Sequence, residues 1–249
     1  MSALADHGIA RLRADNPSPY TLDGTNTWVI GRDPAWVVDP GPALDAHLAA
    51  IAAEVSSRGG AGGIALTHDH ADHAEAVAAL RERLGGPPVA AARLPADVTL
   101  ADGDEFGPLR AVAIPGHADD HLVFVSGAAA FTGDAVLGAG SVFVTSRLGE
   151  YLAALERLRA LRLEVLCPGH GPPVSDPDAK LGEYLAHRAE RERKLLAALE
   201  AGARTEDELL DAAWADAPTA LRGAAALTLR AHAGKLADEG RLPEDVRLG

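Results

Sequence analysis

Short apolar runs alternate with amphipathic helical patterns from residue 27 to residue 170. The runs are bounded by Gly, Pro and Asp, which favour turns, so each run predicts a strand. The predicted strands are 27–30, 36–38, 63–66, 89–93, 109–114, 121–125, 129–131 and 165–167. Helical spacing of apolar residues predicts helices at 44–55, 74–84 and 151–158. Since strands and helices interleave, the pattern predicts the α/β class with a mixed sheet.

The pattern changes in the last third of the chain, where convincing strand signals stop. Regularly spaced leucines predict a long helix, and Thr205-Glu206-Asp207-Glu208 matches a capping box at the start of a second helix. A further helix is predicted at 221–240. We therefore expect two domains, an α/β domain at 1–176 and a small helical domain at 177–249.

Composition limits the partners that the chain can have. It has 249 residues, a formal net charge of −13 and one cysteine, Cys167. The acidic balance opposes binding to nucleic acid unless a local basic groove exists. A single cysteine excludes an internal disulfide. Because the chain lacks a signal pattern and an apolar run of membrane-spanning length, we expect a cytoplasmic monomer or homodimer without a membrane partner.

The run Thr67-His68-Asp69-His70-Ala71-Asp72-His73 contains three histidines and two aspartates. Such side chains lose solvation on burial unless each finds a partner. Imidazole nitrogens and carboxylate oxygens are good ligands for zinc, manganese and iron. The simpler interpretation, a helix cap by Asp69 or Asp72, leaves the histidines unexplained. The run follows a predicted strand and precedes a helix, so it predicts a metal site.

Further histidines and an aspartate follow other predicted strands. Pro115-Gly116-His117 and Pro168-Gly169-His170 come directly after apolar strands, and Thr132-Gly133-Asp134 ends a predicted hairpin. Three strands would therefore deliver His68, His117 and His170 at their C-terminal ends, with Asp134 beside them. This combination makes the metal-site prediction much more specific than the first cluster alone.

Together these motifs resemble those of the metallo-β-lactamase-fold hydrolases, which include glyoxalase II, and in particular those of the β-lactamase-like protein 2 group. The resemblance covers nearly the whole chain and implies a four-layer αββα sandwich with a winged-helix-like C-terminal domain, which 229–236 matches loosely. The motifs that carry it are Thr21-Leu22-Asp23-Gly24-Thr25-Asn26-Thr27, Asp39-Pro40-Gly41, 67–73, 115–121, Gly133-Asp134, 168–172 and 187–192.

The resemblance implies a complete set of ligands for two metal ions. The first ion would be bound by three histidines and the second by an aspartate and two histidines, while one aspartate bridges both. The resemblance assigns His68, His70 and His117 to the first ion, Asp72, His73 and His170 to the second, and Asp134 to the bridge between them. Asp72 and Asp134 are also expected to act in catalysis. The expected cofactors are two Zn²⁺, with Mn²⁺ or Fe²⁺ as alternatives, and a bridging hydroxide would be the nucleophile.

Other residues are candidates for supporting the ligands or binding substrate. Asp39 is either a hydrogen-bond partner of a ligand histidine or a turn residue that ends its strand. His121 would orient a ligand or donate a proton to the leaving group, and a purely structural role for it stays open. For Cys167, packing is favoured over nucleophilic catalysis. The candidates are Asn26, Asp39, Asp120, His121 and Arg188.

The expected function is a dinuclear hydrolase of an ester, thioester or related small-molecule substrate. Cleavage of single-stranded RNA is the alternative within the β-lactamase-like protein 2 group. The net charge disfavours RNA unless Arg147, Arg188, Arg191 and Arg193 line a groove, although the charged run 188–194 is typical of a solvated helix face.

Two further classes of protein are alternatives to a hydrolase. A mononuclear iron persulfide dioxygenase shares the fold, but the complete second ligand set argues against it. A nucleic-acid-binding regulator built on the tail is disfavoured because residues 204–249 hold six basic and nine acidic side chains. A β-lactam substrate is not expected without a secretion signal.

Overall fold

The computed structural model describes residues 3–93 and 95–249. The strands of this part form two sheets, and each sheet mixes parallel and antiparallel pairs. The first sheet contains, in spatial order, β1 (Ile9–Arg13), β2 (Asn26–Ile30), β3 (Ala35–Val38), β4 (Ala61–Ala65), β5 (Val89–Ala91) and β6 (Val98–Thr99). The second contains β7 (Glu105–Phe106), β8 (Leu109–Ala113), β9 (Leu122–Ser126), β10 (Ala129–Gly133) and β11 (Val165–Pro168), in the order β11-β10-β9-β8-β7.

The helices lie between and after these strands. The predicted helix at 74–84 is two short helices, because the helical path is interrupted at 75–76. Among the described residues, no helix has both the length and the apolar character needed to cross a membrane. The helices are α1 (Ala3–Asp6), α2 (Asp45–Ser57), α3 (Ala71–Ala74), α4 (Val77–Arg83), α5 (Leu148–Arg159), α6 (Pro177–Glu200), α7 (Glu206–Ala213) and α8 (Arg222–Asp238), with a 3₁₀ helix at Thr219–Leu221.

The first sheet buries both of its faces. Alternate residues of a strand point to opposite sides, so Trp28 of β2 packs between the sheets while Val29 packs with Ile51 of α2. The rings of Trp28 and Phe131, one from each sheet, are 6.3 Å apart between centroids. The space between the sheets is therefore an apolar core.

The second sheet is covered on its outer face by α5 and α6. Val123 and Val125 of β9 pack in one cluster with Leu155 of α5 and Leu181 of α6. The layers thus run helix, sheet, sheet, helix. This confirms the predicted αββα metallo-β-lactamase architecture.

Helix α6 connects the sandwich to the C-terminal helices. Asp176 caps it, so the predicted boundary at 176/177 coincides with its start. Leu181 packs in the sandwich core, whereas Leu195 packs with Trp214 and Leu229 of the C-terminal region. One helix therefore shares both cores, and the division into two domains stays a prediction.

The C-terminal region is helical, as predicted. The capping box of Thr205 and Glu208 is formed at the start of α7. Within the described part of 177–249, β-structure is limited to a bridge between Thr205 and Arg247. The resemblance to a winged helix therefore rests on the helices, and the wing stays a prediction.

Candidate metal centre

The histidine-rich run 67–73 forms the loop after β4 and the first turn of α3. His70 occupies the N-cap position of α3, and no side chain caps this helix. The capping interpretation of Asp69 and Asp72 is therefore wrong. The backbone N–H of Leu122 donates to the carbonyl of Thr67 at 2.7 Å, which joins this loop of the first sheet to the second sheet.

Three other segments reach the same place from the second sheet. His117 follows β8, Asp134 follows β10 and His170 follows β11. Because β10 and β11 are parallel neighbours, the last two residues leave the sheet side by side. The N–H of Gly169 donates to the carbonyl of Gly133 at 2.8 Å, which fixes this adjacency.

The seven candidate ligands converge at this edge. His117 Nε2 lies 3.1 Å from His70 Nδ1, and His170 Nε2 lies 3.1 Å from Asp72 Oδ2. Two ligands bound about 2.0–2.1 Å from a tetrahedral zinc ion are separated by about 3.3 Å, so these distances suit a shared cation. The atoms form three overlapping groups: His68, His70 and His117; His68, His73 and Asp134; Asp72, His73 and His170.

Asp134 lies between the two outer groups. Its Oδ1 is 3.4 Å from His170 Nε2 and 3.5 Å from His73 Nε2, whereas its Oδ2 is 3.6 Å from His117 Nε2. Asp134 Oδ1 and His68 Nε2 are buried and lack a hydrogen-bond partner among the described residues. Two unpartnered buried atoms that both offer a lone pair to one centre fit a metal ion, which takes oxygen and nitrogen ligands alike.

Hydrogen bonds set which nitrogen each imidazole presents to the centre. In four of the five histidines, Nδ1 is bonded to an oxygen, so Nε2 is left for a cation. The pairs are His68 with Thr67 Oγ1 at 3.0 Å, His73 with Asp39 Oδ2 at 3.0 Å, His117 with the carbonyl of Phe143 at 3.2 Å, and His170 with the carbonyl of Gly24 at 3.3 Å.

The carboxylates of the centre stay ionised although they are buried, because the pKa values of both Asp72 and Asp134 are lowered. Burial alone would raise the pKa of Asp134, but His73 and His170 hold it well below its usual value. Burial likewise opposes charge on His170, yet Asp134 and Asp72 raise its pKa to about 9. Buried carboxylates that stay ionised are what a dication needs.

Asp39 lies behind the histidine-rich loop and is 1% exposed. Its Oδ1 accepts from the N–H of Thr67 at 2.8 Å, and its Oδ2 accepts from Thr67 Oγ1 at 2.7 Å as well as from His73 Nδ1. Asp39 is therefore a hydrogen-bond partner of a candidate ligand, and its carboxylate orients the loop and the imidazole together.

Asn26 orients the loop that carries His170. Its Nδ2 donates to the carbonyls of Pro168 and Gly171 at 2.8 and 2.9 Å.

A Cβ on Gly169 would lie 2.6 Å from Asp134 Oδ1, a close approach that only glycine avoids. Glycine at position 169 therefore permits the backbone to pass directly behind the centre.

His121 and Asp120 differ in their relation to the centre. His121 is buried, stacks on His68 with ring centroids 4.9 Å apart, and accepts from the N–H of Asp134 at Nε2 over 3.1 Å. Its contacts are those of a residue that positions two candidate ligands. Asp120 is mostly buried, and burial together with the charge of Asp69 raises its pKa.

The basic groove that RNA binding would need is not built by the arginines named for it. Arg188 and Arg191 are buried, so the interpretation of this run as a solvated face is wrong for them. Arg147 pairs with Glu150, and Arg193 pairs with Glu190. The buried arginines are spaced three residues apart and lie on the same side of α6 as Leu181 and Leu195, where apolar spacing already indicated burial.

Tyr184 and Arg188 of α6 hold one loop beside the centre. The hydroxyl oxygen of Tyr184 accepts from the N–H of Leu137 at 2.8 Å. Nη2 of Arg188 donates to the carbonyl of Val142 and, over 3.2 Å, to Ser141 Oγ. Since these partners are 46 or 47 residues from Tyr184 and Arg188 in sequence, local patterns gave no sign of them.

Arg191, one turn further along α6, holds a second segment. It donates to the carbonyl of Ala213 at 2.6 Å and forms two bonds of 2.6 and 2.9 Å with the carboxylate of Asp216. Its guanidinium also lies 5.6 Å from the centroid of Trp214. We refer to Tyr184, Arg188 and Arg191 as the polar stripe of α6.

A cavity of about 440 Å³ opens onto the candidate ligands. His70, Asp72, His117, Asp134 and His170 form its polar side. Its other side is mainly apolar, and among the described lining residues none is Lys or Arg. The larger apolar side chains come from three separate segments and are Leu22, Leu137, Val142, Phe143 and Leu221.

Comparison with known proteins agrees with this architecture. A model of the metallo-beta-lactamase superfamily matches residues 20–95 and 85–170. The chain is 29% identical to the Beta-lactamase-like protein 2 homolog of Caenorhabditis elegans, over 93% of this chain and 85% of that protein. It is 30% identical to the Atrochrysone carboxyl ACP thioesterase of Aspergillus fumigatus, over 84% of this chain and 74% of that one. A metallo-beta-lactamase family protein from Thermus thermophilus has a similar structure, with a TM-score of 0.68, 27% identity and coverage of 94% of both chains.

The chain belongs to the metallo-β-lactamase superfamily. It is an enzyme of the hydrolase class in that superfamily, and this class depends on metal ions. The similarity to the β-lactamase-like protein 2 homolog extends over most of the chain, which confirms the resemblance drawn from the motifs.

Proposed function

We propose that this chain is a dinuclear, zinc-dependent hydrolase of small thioesters and related esters. The observation that carries the proposal is the position of Asp134, whose two carboxylate oxygens face different groups of candidate ligands. A site for one ion needs only one such group. Two groups that share a carboxylate are the arrangement of a two-metal hydrolase.

The ligand roles follow the three groups of converging atoms. His68, His70 and His117 would hold one ion, Asp72, His73 and His170 would hold the other, and Asp134 would contact both. When bound, such ions supply Lewis acidity and lower the pKa of water to about 7.

The chain's own residues hold this machinery in place. Asp39 keeps Nε2 of His73 directed inward by accepting from its Nδ1. The carbonyls of Phe143 and Gly24 do the same for His117 and His170. His121 fixes the backbone of Asp134 through the N–H of that residue. These contacts pre-organise the ligands, which otherwise would have to reorient during turnover.

The cavity supports a small acyl substrate. It combines one polar side at the candidate ligands with one apolar side, and pockets of this size and composition suit small molecules. A thioester presents a carbonyl carbon to the polar side while its acyl group needs an apolar surface. The relative from Aspergillus fumigatus that is named as a thioesterase favours this substrate class over a phosphodiester.

The two alternative activities have less support. A single-stranded RNA substrate needs cations along its backbone, whereas the described lining has no Lys or Arg and the chain has a net charge of −13. A mononuclear iron dioxygenase does not need the second group of candidate ligands, Asp72, His73 and His170, whose ligand atoms lie within 4.8 Å of one another.

Metal analysis combined with a substrate screen tests the proposal. Purified protein is stripped with a chelator and reloaded with zinc, manganese or iron, and bound metal per chain is measured. Thiol release from acyl thioesters and cleavage of single-stranded RNA are then assayed. We expect two ions per chain and metal-dependent thioester hydrolysis. His187→Ala is a matched control, because His187 lies outside the groups of converging ligands.

Several outcomes would contradict the proposal in different ways. One tightly bound iron with oxygen consumption on a persulfide would support the dioxygenase. Metal-dependent cleavage of RNA without thioester turnover would support the nuclease. A protein that binds fewer than two ions after each reloading would refute the dinuclear centre.

A further inference from the structure

Two of the three segments that give the cavity its apolar lining are the loop after β10 and the 3₁₀ helix before α8, which are far apart in sequence. The loop after β10 contributes Leu137, Val142 and Phe143, and the 3₁₀ helix before α8 contributes Leu221. Leu221 therefore brings the C-terminal region to the cavity that His117 and Asp134 also line.

The polar stripe of α6 holds both of these segments. Tyr184 and Arg188 bond the loop at Leu137 and Val142, and Arg191 bonds the chain at Ala213 and Asp216, just before the 3₁₀ helix. Arg188 and Arg191 are at least nine-tenths buried. Burying two guanidinium groups is unfavourable unless their hydrogen bonds are kept, so these bonds strongly restrict where the two segments can lie.

We propose that the apolar side of this cavity binds the acyl group of the substrate between Phe143 and Leu221, and that the polar stripe positions these two walls. The proposal rests on the thioesterase function proposed above and specifies its substrate as a thioester with an extended apolar acyl group. Phe143 and Leu221 are then specificity-determining residues, and Arg188 and Arg191 are positioning residues.

The apolar chemistry of the lining is the reason to expect an extended acyl group. The walls carry side chains that gain free energy only from apolar contact, and each buried methylene raises affinity by about fourfold. An acetyl group offers these walls only a single methyl group. A longer acyl group would reach Phe143 and Leu221, which are both only partly buried and so have surface left to cover.

Acyl-chain dependence of hydrolysis tests the proposal. Acetyl, butanoyl and octanoyl thioesters of one simple thiol are compared by thiol release with zinc-loaded enzyme. We expect kcat/KM to rise with chain length. Leu221→Ala should lower kcat/KM for the octanoyl thioester by about tenfold, mainly through KM, and change the acetyl thioester little. Phe143→Ala should likewise lower kcat/KM for the octanoyl thioester. Leu227→Ala is the matched control, because Leu227 is 41% exposed on α8 and lies outside the lining.

The positioning role needs a variant that folds. Asp216→Ala removes the exposed partner of Arg191 and leaves the helix intact. It should raise KM for the octanoyl thioester and leave kcat for the acetyl thioester unchanged. Arg191→Lys keeps the positive charge but not the two parallel hydrogen bonds, whereas Arg191→Met loses both. The increase in KM for the octanoyl thioester should therefore be smaller in Arg191→Lys than in Arg191→Met.

Binding of octanoate separates this inference from the proposed function. Calorimetry on zinc-loaded protein should show tighter binding of octanoate than of acetate, and Leu221→Ala should remove the difference. If no thioester is hydrolysed but octanoate binding depends on Leu221, the acyl site stands and the thioesterase function fails. If thioesters are hydrolysed without any effect of chain length or of Leu221, the acyl site is refuted and the function stands. Failure of both measurements refutes both.

Discussion

The carboxylate of Asp39 and the imidazole of His73 are joined by a hydrogen bond of 3.0 Å between Oδ2 and Nδ1. Both side chains are almost completely buried. Asp39 has a left-handed backbone, with φ of 52°, in which aspartate and asparagine are tolerated better than most other residues. Asp39 therefore orients the candidate ligand His73 from the end of β3, a strand end that carries no candidate ligand of its own.

Asp39→Asn tests this support. Asparagine retains the left-handed backbone but loses the negative charge behind His73, so we expect metal affinity to fall by about ten- to a hundredfold. The measurement is competition for zinc against a chelator of known affinity. Asp33→Asn, at a position with φ of 50° in the turn between β2 and β3, is the matched control. Equal zinc affinity in both variants would contradict the role of Asp39.

Asp134→Ala should abolish hydrolysis. Its loss removes the carboxylate that faces both ligand groups, so the group of Asp72, His73 and His170 should lose its metal more readily than the three-histidine group. We expect turnover to fall by at least about a hundredfold, with folding retained because the residue follows a strand end. Turnover and metal content are compared with those of Asp120→Ala. Wild-type turnover with two bound ions would show that the dinuclear assignment is wrong.

Removal of residues 204–249 should lower solubility and hydrolysis together. The deletion exposes Leu195 and Leu199 of α6, which are buried against the C-terminal helices, and it removes Leu221 from the cavity. Exposed apolar surface of this kind promotes aggregation. Yield of soluble protein and thioester turnover are measured against the full chain. Unchanged activity on every substrate would show that the tail takes no part in the site.

Cys167 should be unreactive in the folded enzyme. It is fully buried on β11, and burial raises the pKa of its thiol far above neutral pH. Because the thiolate is the reactive form, a thiol reagent at pH 7 should modify the native protein negligibly and the denatured protein stoichiometrically. Rapid modification of native protein, with hydrolysis lost in parallel, would instead assign the thiol a functional role.

Most strands and their ends could be predicted because local patterns determine them, whereas β1, β6 and β7 were missed. Apolar runs bounded by turn residues located β4, β8 and β11. The candidate ligands follow these ends within a few residues. Their convergence was therefore predictable from short motifs.

The contacts of α6 could not be predicted in this way. Charged residues at Arg188 and Arg191 indicated solvent exposure, yet both side chains are buried because distant carbonyl groups accept their hydrogen bonds. Such partners depend on the tertiary arrangement and leave no local pattern. The apolar walls of the cavity were missed for the same reason, since Phe143 and Leu221 line one cavity only in the folded chain.

The polar stripe of α6 also separates the parts of this enzyme that evolution can change independently. The candidate ligands follow strand ends, whereas Leu221 belongs to a 3₁₀ helix outside both sheets. Under the acyl-site proposal, substitutions at Leu221 would alter which molecules are accepted while the ligands keep their geometry, whereas Phe143 also supplies a carbonyl to His117. A library that varies Leu221 would then retain the chemistry and redirect the enzyme to new substrates.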